Sequence, residues 1–340
     1  MTSKGFKLKT DAEAWARARE REIDKGEYLD GAEARNHTVA DMLNRYIKEA
    51  LPKKKPYTRL KQESHARWWI ERLGKLHLNA LTAAKMVEAR SALAADGAGP
   101  ATQNRYMALL SHCCTVAVKE WQWLKSNPVR NIAKQREPAG RVRYLSDDER
   151  KRLFAAIADD PELNCAVRVA LSSAMRQGEQ FALRWRDINL KNGNASLRDT
   201  KGNVARSTTI AGEALELLRE RWRGIEAEHK GKRVVGIKDR LRERLVFPSS
   251  SDPAKPYYFR DPWNAALEAA KIKNFKWHDL RHTALSYAAM RGASTIELAA
   301  MAGHKTLAMV LRYAHLSPSH SAGIVRAMVA DMDAGKRMTT

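Results

Sequence analysis

At 340 residues with 44% hydrophobic side chains, the chain can fill the cores of two compact domains and is not a disordered protein. Its 61 Lys and Arg against 39 Asp and Glu leave a formal charge of +22, an excess that points to a polyanionic partner, nucleic acid first. No apolar run nears 18 residues and no signal-peptide apolar stretch opens the chain, so a cytoplasmic protein without a membrane partner is expected.

In chain order, DAEAWARAREREIDK (11–25) is rich in helix formers and stops at Gly26. GFKLKT ahead of it is one strand candidate, and residues 1–36 read either as an accessory helix or as a plain amphipathic cap. Residues 37–133 form an all-α block of four helical patterns. The first is TVADMLNRYIKEAL with Thr38 as N-cap; the others are RLKQESHARWWIERLG, TAAKMVEARSALAA, and PATQNRYMALLSHCCTVAVKEWQWL with Pro100 in the first turn. Asn127-Pro128 ends the block. In LPKKKPYTRLK, Lys53, Lys54, Lys55, Arg59 and Lys61 interleave with Tyr57; contact with backbone phosphate is the favoured reading over a solvated charge run. Cys113, Cys114 and Cys165 lack CxxC spacing and read as buried thiols in a reducing compartment.

Residues 134–144, with Pro138, Gly140, Arg141 and Arg143, have the composition of a basic linker, either crossing a phosphate backbone or serving as a solvated tether. The block 145–340 opens on Ser146 and Glu149, an S-x-x-E capping box. Helical ELNCAVRVALSSAM and QGEQFALRW follow. DINL, ASLRDT and ARSTTI, joined by KNGN and KGN turns, predict a three-stranded antiparallel sheet. Helical GEALELLRERWRGIEAEH and DPWNAALEAAKI come next. The fold class is therefore mainly α with a small antiparallel β-sheet.

Between Trp277 and Pro318 lie His278, Arg281, His282, His304 and Tyr313. His278 and His282 stand i, i+4, the spacing of a helical metal pair, but Asp279 occupies the position where the zinc-protease pattern wants Glu, and Arg281 adds a fixed cation. Phosphodiester transesterification needs a nucleophile, donors to the nonbridging oxygens and an acid for the leaving alkoxide. Arginine suits the donor role because its fork binds two oxygens and keeps its charge. Arg176 has Glu179 three residues on, within reach on a helix. A tyrosine with a pKa of about 10 becomes a nucleophile only where cations and a base draw off its proton. Taken singly, these residues also fit a salt bridge, hydrogen-bonded core histidines and a packed tyrosine.

What joins them is a resemblance. AMRQGEQFALRWRDINL, DTKGNVARSTTI, WHDLRHTALS and MAGHKTLAMVLRYAHL stand in the order and at the spacing of the tyrosine recombinases, the phage integrase family. In look the chain is similar to prophage integrases and to shufflon-type inversion recombinases. The resemblance covers about Leu145 to Val329 and extends more weakly to the last helices of an all-α core-binding domain. It implies an α+β catalytic domain in which Arg176, Arg281 and His304 contact the scissile phosphate and His278 helps manage the tyrosine proton. Lys201 would be the general acid, Tyr313 the nucleophile forming a 3′-phosphotyrosyl link, and Glu179 the support of Arg176. No cofactor is implied, neither metal nor ATP. The implied partners are double-stranded DNA with a specific recombination site and a homotetramer on paired sites; a DNA-bending or directionality factor is a further candidate whose need the sequence leaves open, and a cytoplasmic, nucleoid-associated location follows.

Three departures stand out. Ser173-Ala174 replace the usual Thr-Gly, Ala302 replaces the usual Leu, and the N-terminal segment only partly resembles an arm-site-binding domain. SHSAGIVRAMVADM is a short apolar-striped helix that the family docks on a neighbouring protomer; packing on its own domain is the alternative. A type IB topoisomerase and a non-catalytic DNA-binding accessory protein are the rival readings. Integration, excision and inversion share one chemistry and are not separated by sequence.

Overall fold

The computed structural model describes residues 5, 8–24, 32–138, 140–197, 205–229, 237–303, 306–316 and 318–333. Lys201 and His304 lie outside them, as does the KGN turn. The chain divides into two compact units, Met1–Ala139 and Gly140–Thr340.

In the first unit, α1 (Lys9–Asp24) begins inside the GFKLKT stretch, so Lys9 and Thr10 are helical rather than extended. A short α2 (Ala32–Asn36) precedes α3 (Val39–Glu49), whose Thr38 and Asp41 close a reciprocal capping box. α4 (Pro56–Leu73) starts earlier than the pattern suggested because Pro56 takes the first helical position, where its missing N–H costs nothing. Tyr57, Arg59 and Lys61 are therefore helical. α5 (Ala83–Ala95) and α6 (Pro100–Lys119) complete the bundle. Beyond α6 a 3₁₀ turn, Pro128–Asn131, is capped by Asn127 and buries Val129. The core gathers Met42, Leu43, Tyr46, Trp69, Leu110, Cys113 and Cys114.

The second unit opens with α7 (Asp147–Ala156), capped by Ser146 and Glu149, then α8 (Pro161–Ser173) and the five-residue α9 (Gln177–Phe181). The sheet is antiparallel in the order β1 (Ile188–Asn189), β2 (Asn194–Leu197), β3 (Arg206–Thr209), with Ile188 opposite Ala195 and Ala195 opposite Thr208. Gly193 makes the β1–β2 turn: its φ is +74°, and a Cβ there would stand 2.0 Å from the Ile210 carbonyl oxygen. Then follow α10 (Glu213–Glu228), α11 (Ile237–Arg242), α12 (Arg260–Ala269), α13 (Trp277–Met290), α14 (Thr295–Ala302) and α15 (Pro318–Asp333). A large core of α7, α8, α10, α12 and the sheet includes Phe181, Trp185, Phe247, Phe259 and Trp277. A smaller one packs Ala174, Leu285, Leu298, Ala302, Val310 and Tyr313 together. The three cysteines are buried free thiols; burial pushes Cys114 and Cys165 up to about 12 and Cys113 well above its usual range. No helix among the described residues is long and apolar enough to cross a membrane.

Candidate active site

The site is built where α8, α9, β3, α13 and α14 meet. α8 ends at Ala174, which takes the left-handed conformation (φ +51°) fully buried. This is the position where glycine was expected; alanine pays roughly 1–2 kcal/mol for that backbone state, yet the turn closes as required. Ser173 Oγ donates to the Val169 carbonyl, and Thr208 of β3 donates to the Ser173 carbonyl. The reversal places Arg176 as the residue before α9. Its backbone N–H and its guanidinium both donate to Glu179, at 3.0 and 2.7 Å. Glu179 Oε2, which takes the Arg176 backbone N–H, also accepts from Arg206 at 2.7 Å, so one buried carboxylate, 6% exposed, holds two guanidiniums. Burial alone would raise the Glu179 carboxyl, but the bonds from Arg176 and the charge and bond of Arg206 outweigh it and hold it below its usual range.

Arg281 projects from α13 and is 4% exposed. It donates to the carbonyls of Ala174 (2.6 Å) and Ala302 (2.5 Å). Burial, with Arg176 and Arg206 close by, brings its pKa down to about 10. The last carbonyls of a helix lack intrahelical partners, and at the end of α14 three successive ones each accept a different arginine: Met301 from Arg206 (2.9 Å), Ala302 from Arg281, and Gly303 from Arg176 (3.2 Å). Gly303 allows this. Its φ is +58°, and a Cβ there would lie 2.5 Å from Arg206 Cδ and Nε.

Tyr313 lies in a 3₁₀ turn (Leu311–Leu316) and is 1% exposed. Its hydroxyl is 2.5 Å from Nδ1 of His282. His278, one turn earlier on α13, is exposed at the helix surface, its ring edge-on to His282 with centroids 5.2 Å apart. Burial of the ring, then the neighbouring His278, lowers His282 to about 4, so it is neutral near pH 7. Burial raises Tyr313 against the pull of Arg312 and Arg281. Among the described residues, no group of three His, Cys, Asp or Glu is placed to hold a metal.

The structure thus brings Arg176, Glu179, Arg281, His278 and Tyr313 into one locality and adds two side chains that the sequence reading did not assign to it. Arg206 looked like an ordinary strand residue in ARSTTI; its partners lie 27 and 95 residues away. The sequence presents His282 as half of an i, i+4 histidine pair, and nothing local announces its contact with Tyr313, 31 residues on.

The proposed DNA-contact residues divide. Lys53, Lys55, Arg59 and Lys61 are exposed, with Tyr57 72% exposed among them. Lys54 instead turns inward and donates to Tyr46 (2.6 Å) and Gln62 (2.7 Å), in a chain that continues to His112. In the second unit, Arg141 binds Asp279 and the Asn274 carbonyl, and Arg143 grips Glu149 and the Tyr144 carbonyl. On α15, Val325, Met328, Val329 and Met332 are all substantially exposed.

A helical unit carrying two half-buried guanidiniums and one buried one beside a buried tyrosine, with neutral imidazole on the phenol, has the parts of a phosphoryl-transfer site. The chain belongs to the phage integrase family, the tyrosine recombinases: the family model matches residues 143–320, which include Arg176, Arg281 and Tyr313. It is similar to the shufflon-specific DNA recombinase of Escherichia coli, 29% identical over 235 residues, 68% of this chain and 54% of that protein. It is similar also to the integrase of Salmonella phage P22, 27% identical over 231 residues, 66% of this chain and 56% of that one. The match thus spans little more than half the length of either relative. Among solved structures, the Tn1549 transposon integrase in complex with transposon right end DNA shares the fold, with a TM-score of 0.67 at 17% identity over 86% of this chain and 99% of that one.

Proposed function

We propose that the chain is a site-specific DNA recombinase that cuts and rejoins strands through a 3′-phosphotyrosyl intermediate. The observation that carries the reading is the convergence of Arg176, Arg281 and Tyr313 from three elements onto the end of α14. In this reading the two arginines exchange backbone carbonyls for the nonbridging oxygens of the scissile phosphate, while Glu179 keeps Arg176 in register. His304 adds a donor, His278 assists the tyrosine proton, and Lys201 protonates the leaving 5′-oxygen; these roles rest on motif position. The covalent link conserves the energy of the broken ester, so rejoining draws on neither metal nor ATP. Double-stranded DNA is the partner, and the exposed Lys53, Lys55, Arg59 and Lys61 are its backbone contacts in the first unit. The exposed apolar stripe of α15 supports assembly with further copies, as a homotetramer on paired sites.

The test is covalent trapping. Duplex fragments from the DNA flanking the protein's own gene are incubated with protein in chelator, quenched in detergent and examined for slow-migrating adducts. An adduct absent from Tyr313→Phe is expected, and sequencing its DNA defines the site. Tight, salt-sensitive binding with no adduct, on intact or nicked fragments, would replace the enzyme with a DNA-binding accessory protein.

A further inference from the structure

We propose that His282 is a catalytic residue of the strand-transfer reaction: its Nδ1 is the atom that takes the proton from Tyr313. The inference rests on the recombinase reading above and assigns the proton step to a different histidine from the one the motif suggests. Three observations carry it. The phenol oxygen stands 2.5 Å from His282 Nδ1, inside the range for direct transfer. Tyr313 is 1% exposed, so bulk water does not compete for that proton. His278, exposed on the same face of α13, stacks edge-on behind His282 rather than on the phenol, which leaves it as the next station toward solvent.

The electrostatics fit the timing. Burial of the ring, helped by the positive field of His278, Arg312 and Arg281, keeps His282 neutral before substrate arrives, with Nδ1 free to accept when the ring proton is on Nε2. A phosphodiester seated between Arg176 and Arg281 brings a negative charge that offsets this field, which raises the proton affinity of the imidazole as the phenol must give its proton up. The Tyr313 O–H bond breaks and its proton goes to Nδ1. The phenolate oxygen forms the new bond to phosphorus, and the bond from phosphorus to the 5′-oxygen breaks, that oxygen taking a proton from the acid. Rejoining runs the same transfers backward: the incoming 5′-hydroxyl returns a proton to the acid, and His282 returns one to the departing tyrosine. No proton is gained or lost over the cycle.

The experiment uses the full chain and the duplex recovered by trapping. His282→Asn keeps a polar atom near the Nδ1 position but cannot store a proton, so it separates positioning from base catalysis. Adduct formation by His282→Asn is expected to slow by on the order of 10²–10⁴-fold, the usual range for losing a general base, with DNA affinity and melting temperature unchanged. Fluorotyrosine placed at position 313, whose phenol ionises more readily, is expected to recover His282→Asn more than it accelerates the parent, whereas His278→Asn gains no such selective recovery. Adduct formation by His282→Asn at the parent rate, or a loss that fluorination does not selectively repair, would overturn the assignment and leave the recombinase reading intact. A parent protein that forms no adduct at all would remove both.

Discussion

Replacing Gly303 by alanine tests whether the arginine cluster is one mechanical unit. The substitution forces a non-glycine residue into φ +58°, which costs about 1–2 kcal/mol. The new Cβ would also lie 2.5 Å from Arg206 Cδ and Nε, atoms in the middle of a side chain pinned at its far end to Glu179 and the Met301 carbonyl. Arg206 must leave, and a hydrogen bond to a charged partner is worth about 1.5–3 kcal/mol. The single variant should therefore lose about 2.5–5 kcal/mol in the second unit. In an Arg206→Ala background the clash vanishes and only the backbone cost of about 1–2 kcal/mol remains. A double-mutant cycle by urea unfolding, with tryptophan fluorescence and the two units fitted as separate transitions, should return a coupling of about 1.5–3 kcal/mol. A coupling below about 0.5 kcal/mol, within the scatter of independent sites, would refute the claim that Arg206 and the Gly303 turn hold one another.

Further expectations follow from the same contacts. Glu179→Gln removes a buried charge from between two guanidiniums and should cost about 3 kcal/mol. Because the folded carboxyl is held below the usual glutamate range, its contribution is complete above the unfolded value of about 4.3 and is lost as pH falls through the lower folded value, so the parent should lose stability there more steeply than the variant. In salt titrations of DNA binding, Lys55→Ala and Arg59→Ala should each lower the slope of log K against log salt by about 0.9. Lys54→Met should leave the slope alone and lower the melting temperature, since its ammonium is spent on Tyr46 and Gln62. The three cysteines should resist a thiol reagent in the native protein and react fully on unfolding, as each is buried with its thiol pKa raised.

Much of the fold was legible because its signals are local. The Ser146–Glu149 capping box, Thr38 as N-cap, Pro100 in a first turn and the KNGN turn all act within a few residues, and each appears where its chemistry requires. The mainly helical class with a small antiparallel sheet followed from them. What was not legible is carried by contacts across the chain. Nothing around Arg141 or Arg143 announces Asp279 or a two-pronged grip on Glu149, and a lysine inside a Lys-rich run gives no hint that one of its members, Lys54, faces inward. The site followed the same division: Glu179 beside Arg176 could be read from a spacing of three, whereas the His282–Tyr313 pair depends on how a 3₁₀ turn presents its tyrosine to α13. The start of α4 is a different case, since Pro56, a local first-turn signal, lies inside the Lys-rich run and begins the helix there.

The acceptors that hold the three arginines at the end of α14 are main-chain oxygens, and this has a genetic consequence. No point substitution deletes a carbonyl, so Met301 and Ala302 can change their side chains, within packing, without removing the groups that orient the guanidiniums. Loss of a side chain at the acceptors and loss of one at the donors should therefore differ sharply in one cluster, with Gly303 a place on the acceptor side where an added side chain meets Arg206. A saturation survey of the segment would show a tolerant column at 301, a column at 302 confined to small apolar residues by its full burial, and a column at 303 that accepts glycine alone. An aligned family could drift in side chain at position 301, and among small apolar residues at 302, while its cation geometry stayed fixed.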